Sequence, residues 1–550
     1  MDTSNDEYLG SRGKKGRHRP DSNSFRKLIL EPCASVTKYE ENFRKKTYFK
    51  TKILENTNTS WEKTDPYKFI SIHQESVLVG STLDIDCIRI GRLQGDIVNN
   101  CPIMFCGGPV TSMSWCNAVS PDSSQVLAVA VKNNFHPSKL GERKKSPGMI
   151  QFWKVVPGQK PEFEFGLCHN YGDVWCLEWC PSISRDNDKT TGIIGASCGD
   201  GTVRIWSVPK LLTTGACYLK EADLTLTHDD PDIGQCLSLS WFRGPGHEYV
   251  AACFSSGIVS VWHLTTTSPL LRQDDTTLLP VYTWLAHTGS TVSVSLCPSV
   301  DTEPRYLVTG GSDRSYKFWD LRDTCVPVQE VQRGLVTDVK WITGWTGAGV
   351  CYDDVYRQSH TQSLLAEIGY HASRSHPIIS QNSAVTSMSL SQWLNVMAVC
   401  TSAGELIIFV LPSLHKSLEH DKNMAQRRSY VYWTEASHKD IVGVDSERLY
   451  ETVSDTTKLL YHDTSLKRSE SSKLSQSQDD TKKVRSSDSM NTEDLSCYPV
   501  AGLTSVSWNN NPGQHTLVAS GGHSGIVRCH NLTCLNTPDV VKELKIVELL

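Results

Sequence analysis

Three groupings in this 550-residue chain have residue types from which chemistry is made. His287, with Asp313 and Trp319 further on, offers the histidine–carboxylate pair from which general bases are built. Gly521-Gly522-His523-Ser524-Gly525 sets a serine beside a histidine among glycines, a setting that invites comparison with a nucleophile turn. The chain also holds 19 Cys, enough for disulfides or metal. Each grouping has a simpler reading. The glycines suit a tight turn between two strands. No Cys-x-x-Cys pair occurs, and the Cys101/Cys106 and Cys529/Cys534 spacings lack a nearby Cys/His partner set, which argues against structural zinc. Cys176, Cys180, Cys198, Cys253, Cys297 and Cys400 lie within apolar runs, where a free thiol acts as a small hydrophobe. The sequence has no phosphate-binding Gly-x4-Gly-Lys-Ser/Thr, no His-Glu-x-x-His, no Gly-x-Ser-x-Gly and no calcium loop. The expectation is a protein without catalytic residues, cofactor or metal.

The elements that must position these residues are strands. Tyr306-Leu307-Val308-Thr309 is an apolar strand, and Gly310-Gly311-Ser312-Asp313 is a turn. Ser315 to Leu321 then alternates two faces and ends on Trp319-Asp320. This is the WD-repeat signature. A related unit recurs, opening on a strand of the form Val-x-x-Val-x-Trp. The opening strands begin near Val110, Asp173, Gln235, Val292, Val336, Val385 and Leu503. The fifth unit is decayed after Trp341. Seven units predict an all-β fold, a seven-bladed WD40 β-propeller, in which neighbouring sheets bury one another's faces. In such blades a His, a Ser or Thr, the turn Asp and the strand Trp make a buried hydrogen-bond network. His287, Asp313 and Trp319 fit it, and Asp200 with Trp206 repeats part of it. Ser256, Ala403 and His523 stand where other blades lack the Asp. The strands at 69–80 are expected to supply the outermost strand of the last blade. The Trp153, Trp206, Trp262 and Trp319 spacings of 53, 56 and 57 imply long loops, where binding residues are expected.

Charge divides the chain. Residues 1–60 hold thirteen Lys/Arg against eight Asp/Glu, whereas the whole chain is at −5. The reading is a basic, largely disordered region at 1–66, blades one to six with a closing strand at 67–411, an insertion at 412–500, the last blade at 501–535 and a tail at 536–550. Within the insertion, 464–496 carries ten Ser in 33 residues and is expected to be disordered and open to phosphorylation. Arg12, Lys14, Lys15, Arg17 and Arg19 suit nuclear import or DNA-backbone contact. Basic residues in the ring are scattered, which argues against sequence reading of DNA by the blades. No apolar run is long enough to span a bilayer, and no signal peptide is read, so a reducing intracellular compartment is expected.

Several stretches resemble one family. They are Phe105-Cys106-Gly107-Gly108-Pro109-Val110, Gly234-Gln235-Cys236-Leu237-Ser238-Leu239-Ser240-Trp241, Ser268-Pro269-Leu270 with Trp284-Leu285-Ala286-His287, and Gly311 to Arg322. Arg427-Arg428-Ser429-Tyr430, Tyr450-Glu451-Thr452-Val453 and Ser520 to Arg528 complete them. Across about residues 100–530 the chain resembles the WD-repeat subunits of general transcription factor IIIC, although its N-terminal region is shorter than that of the longer members. The resemblance implies a nuclear scaffold with no membrane and no small-molecule substrate. Such a scaffold supports B-box promoter recognition and RNA polymerase III transcription of tRNA and related genes. Its implied partners are the largest and other subunits of the factor, with promoter DNA met mainly through the complex. Arg427, Arg428, Tyr430 and Tyr450 are then the candidates for docking. A WD scaffold of another nuclear complex, chromatin or ubiquitin ligase, is the alternative. Acetyl transfer comes third, since no acyl-cofactor loop is present.

Overall fold

The computed structural model describes residues 60–69, 75–411, 428–437, 458–463 and 500–538, with breaks, the longest at 118–123, 183–189, 354–360 and 368–374. The fold is all-β, and its strands form seven mainly antiparallel sheets. Each sheet starts from one of the seven opening strands. In chain order these are Val110–Trp115, Val174–Trp179, Cys236–Trp241, Thr291–Leu296, Val336–Trp341, Val385–Leu390 and Leu503–Trp508. Each is in contact with the next, and Leu503–Trp508 lies against Val110–Trp115, so the contacts run in a cycle.

The core follows from this order. It is divided into wedges, one between each pair of neighbouring sheets. Phe152, Trp179 and Trp206 fill the space between the first and second sheets. Trp241 and Trp262 lie between the second and third, and Trp319 with Val261 between the third and fourth. Phe318 and Trp341 close on each other between the fourth and fifth, and Met397 meets Cys351 between the fifth and sixth. Tyr432 and Trp508 are buried between the sixth and seventh, and Trp115 with Val527 between the seventh and first. Along the inner strands apolar residues on both faces are buried, and a neighbouring sheet on either side is what buries them.

The fifth unit, obscure in sequence after Trp341, is a complete sheet with Gly347–Tyr352, Thr361–Glu367 and Ser375–Gln381. The closing strand differs from the expectation. Cys101–Phe105, not the 69–80 region, pairs with Ile526–Asn531 in the seventh sheet, and Gln94–Val98 pairs outside it. Ser76–Ser81 instead joins the sixth sheet, parallel to Lys458–Asp463, with Asp84–Gly91 beyond. Two hairpins from one N-terminal stretch therefore complete two neighbouring sheets. The sequence showed a strand at 76–80 but held no signal for its partner, because that partner lies almost 400 residues on.

Parts of the long connections are built into neighbouring sheets. The connection after Val203–Pro209 sends Ala216–Leu219 back to pair in parallel with Glu162–His169 of the first sheet. The one after Ile258–His263 sends Thr277–Leu278 back to Leu224–Leu226 of the second. These loops bridge sheets, which explains the wide Trp spacing structurally. Glu62–Thr64, inside the region expected to be largely disordered, forms the outer edge of the first sheet against Ala216–Leu219. Trp61 meets Phe165 and Tyr218 edge-on there, with ring centroids 6.2 and 6.0 Å away.

Candidate functional site

The fourth sheet holds the His–Asp–Trp grouping in full. His287 Nδ1 lies 2.9 Å from Asp313 Oδ1, and its Nε2 lies 2.8 Å from Thr309 Oγ1. Trp319 Nε1 donates to the same threonine oxygen at 3.0 Å. Ser315 Oγ donates to Asp313 Oδ1 at 2.8 Å. One proton arrangement satisfies every atom. His287 donates from Nδ1 to the carboxylate and accepts the Thr309 hydroxyl at Nε2, and Thr309 accepts from the indole. Burial pushes the imidazole below its ordinary range against the pull of Asp313. Burial pushes Asp313 up, but Ser315 and His287 outweigh it, and the carboxyl lies below the ordinary range. A neutral imidazole engaged at both nitrogens has no free lone pair with which to take a proton from a substrate. The arrangement ties Tyr306–Gly311 to Ser315–Asp320 and to the incoming chain at His287.

The second sheet repeats the aspartate and the tryptophan but not the histidine link. Asp200 accepts from Thr202 N and Oγ1 at 3.2 and 2.6 Å, and from Arg204 Nη2 at 2.9 Å. Trp206 Nε1 donates to the Lys220 carbonyl at 3.3 Å. His169 stacks on Tyr171 nearby, pushed down to about 4 by burial. Arginine has taken the histidine's place as partner of the turn carboxylate. In the seventh sheet the Gly521–Gly525 stretch is the turn between Leu517–Gly522 and Ile526–Asn531. Gly525 sits at φ +74° with its ideal Cβ position against Gly108, so a side chain there has no room. Its carbonyl accepts from Cys106 N at 2.8 Å. Cys101 donates to the Cys529 carbonyl at 3.1 Å, and burial pushes its thiol up to about 11.

A set of hydroxyls that join neighbouring sheets escaped the sequence reading. All seven starting strands line one cavity of about 540 Å³. Around it, side chains bond the backbone of the next starting strand. Ser112 and Ser114 accept from Leu177 N and Trp179 N. Glu178 accepts from Trp241 N, and Ser240 from Leu296 N. Ser293 and Ser295 accept from Val339 N and Trp341 N, and Asp338 from Met388 N. Ser389 accepts from Trp508 N. Thr504 Oγ1 donates to the Val110 carbonyl at 2.5 Å, which completes the cycle. The signal was present as Thr-Ser-Met-Ser at 111–114 and 386–389 and as Thr-Ser-Val-Ser at 504–507. In the cavity, burial raises Glu178. Burial opposes the Lys340 charge, but Asp338, Cys176 and Glu178 outweigh it and raise the lysine.

The insertion is partly built into the sheets. Arg428–Ser437 pairs with Glu405–Val410, and Lys458–Asp463 pairs outside it. Arg528, 1 % exposed, donates from Nη2 to both Asp463 oxygens at 3.0 and 3.1 Å. Its guanidinium lies 4.0 Å from the Tyr461 ring and 4.6 Å from that of Tyr432. Asn99 also donates to Asp463, at 3.1 Å. Four separated stretches thus meet at one ion pair. Of the expected docking residues, Arg428 and Tyr430 fall on the strand that pairs with Glu405–Val410. Arg427 and Tyr450 lie outside the described residues, as do Arg12, Lys14, Lys15, Arg17, Arg19 and the 464–496 stretch.

A cycle of seven sheets with its hydroxyls and its histidine engaged in internal bonds defines an all-β repeat protein. Comparison with known proteins gives the particular kind. Over 369 residues the chain is 29% identical to the human protein called General transcription factor 3C polypeptide 2, a match covering 60% of this chain and 40% of that protein. The Pongo abelii protein of the same name matches equally. The match to Transcription factor tau subunit sfc6 of Schizosaccharomyces pombe is 23% identical over 434 residues, 78% of this chain and 64% of that protein. The chain therefore spans about two fifths of the length of the first two relatives. No family model matches it. The motif resemblance is borne out: the chain is similar to the polypeptide 2 subunit of transcription factor IIIC.

Proposed function

We propose that this chain is a non-catalytic scaffold subunit of a transcription factor IIIC complex in the nucleus, built as a seven-bladed WD40 β-propeller. The observation that carries the reading is the similarity to factor subunits from primates and from a yeast, joined to a cycle of seven sheets. In this role the scaffold docks to the largest subunit of the factor. It thereby supports B-box recognition and transcription of tRNA and related genes by RNA polymerase III. Arg427, Arg428, Tyr430 and Tyr450 are the proposed docking residues. Arg12, Lys14, Lys15, Arg17 and Arg19 serve nuclear import or contact the DNA backbone.

The test is recovery of partners from nuclear extract on the tagged full-length chain at moderate salt. The largest subunit of the factor is the expected partner. Recovery of a chromatin or ubiquitin-ligase complex without any subunit of the factor would overturn the reading. To ask whether the insertion docks, only 464–496 should be excised. A cut of 412–500 would also remove two strands of the sixth sheet and Asp463, the partner of buried Arg528.

A further inference from the structure

The connection between Gln125–Val131 and Gly148–Val155 in the first sheet is cationic. Residues 126–172 hold seven Lys/Arg and three Glu in a chain of net charge −5. Lys139, Arg143, Lys144 and Lys145 are all exposed. Their backbone is nevertheless fixed to the second and third sheets. Lys144 N donates to the Gly199 carbonyl at 3.0 Å, and the Ser146 carbonyl accepts from Gly172 N at 2.9 Å. Gln235 Nε2 donates to the carbonyls of Lys139 and Glu142, at 3.2 and 2.7 Å. Arg143 Nη2 donates to the Asp230 carbonyl at 2.8 Å. Gly172, at φ +84°, leaves room for the Lys144 carbonyl that any Cβ would fill. A surface loop with no such constraint would have no reason to be tied down at five points.

We propose that Lys139, Lys144 and Lys145, held across the first three sheets, contact the phosphate backbone of duplex DNA. Among the described residues none of the three is paired with a carboxylate. The chain turns at Gly141, with Glu142 N donating to the Lys139 carbonyl at 3.3 Å, so the three lysines stand within seven residues. Phosphate contact of this kind positions a scaffold on a duplex without reading sequence, so scattered charges elsewhere in the ring are no obstacle. The choice of DNA over another polyanion rests on the transcription-factor reading; the surface itself rests on the geometry.

The experiment is fluorescence anisotropy of the full-length chain with a labelled duplex of about 20 base pairs and arbitrary sequence, over about 50–200 mM salt. K139E/K144E/K145E is expected to weaken binding about tenfold or more at the low-salt end. Its logarithmic salt slope should fall by about 3, near 0.9 for each lost phosphate contact. K139Q/K144Q/K145Q, which adds no repulsion, should show the same loss of slope with less loss of affinity. An unchanged slope in both variants would overturn the proposal. So would polyglutamate of equal charge that binds the parent chain as tightly as the duplex, since the surface would then fit acidic polypeptide. Recovery of the factor's largest subunit by K139E/K144E/K145E is expected to be undiminished, which separates this proposal from the scaffold reading.

Discussion

The fourth sheet and the seam between the sixth and seventh sheets both bury charge, and they do so for different ends. In the fourth sheet His287, Thr309, Asp313, Ser315 and Trp319 come from one stretch of 33 residues. Their bonds shape a single sheet, and the same stretch carries the repeat signature. At the seam Asn99, Tyr432, Asp463 and Arg528 come from four places, one of them in the N-terminal hairpins. Their bonds hold the two ends of the cycle to the insertion. The fourth sheet is a local device that any one unit can use or replace, as the second does with Arg204.

The largest effect is expected from breaking the seam. Asp463→Ala leaves the Arg528 charge buried without its carboxylate and should cost about 3–5 kcal/mol in urea unfolding. R528M/D463A removes both charges and should recover more than half of that loss. If the single substitution costs under about 1 kcal/mol, the ion pair does not hold the ends. His287→Ala comes next. It removes the Thr309 hydroxyl's acceptor and one of the donors to Asp313, which keeps Ser315, and should cost about 1–3 kcal/mol. A cost equal to that of Asp463→Ala would erase the distinction between a local and a closing device.

Acid sharpens the comparison with a smaller effect. Burial drives His287 below its ordinary value of 6.5, and His169, His247 and His515 to about 4. The unfolded chain therefore binds protons first as pH falls. The stability from keeping these imidazoles neutral is complete above about pH 6.5 and is lost as pH drops from there toward 4. Each such histidine contributes a slope of up to about 1.4 kcal/mol per pH unit. The melting temperature should fall over that window, and His287→Ala should lose its share of the slope. A flat profile from pH 7 to 4.5 would show these histidines are already accessible to protons in the fold.

Much of this was legible in the chain. Five of the seven starting strands end on Trp and two, Thr291–Leu296 and Val385–Leu390, on Leu; a strand buried on both faces leaves such a period-two apolar trace wherever it occurs. The Tyr306 to Asp320 run gave the two strands and the Asp313 and Trp319 of the network, although Gly310 and Gly311 belong to the first strand and the turn begins only at Ser312. The Gly521–Gly525 turn was readable as a turn because a left-handed residue at its end admits only glycine comfortably. The Ser and Thr of the starting strands were visible but unread, since a hydroxyl at a strand surface gives no sign of which neighbour's amide it meets.

The sequence by itself determined what each unit is: local periodicity, turn chemistry and the burial of Trp follow from residues close together in the chain. Only the tertiary structure decided how the units close. Leu78 pairs with Lys458, Phe105 with Ile526, and Arg528 with Asp463. Such pairings carry no sequence period, because their register is set by which edges and charges remain unsatisfied once all seven sheets stand side by side.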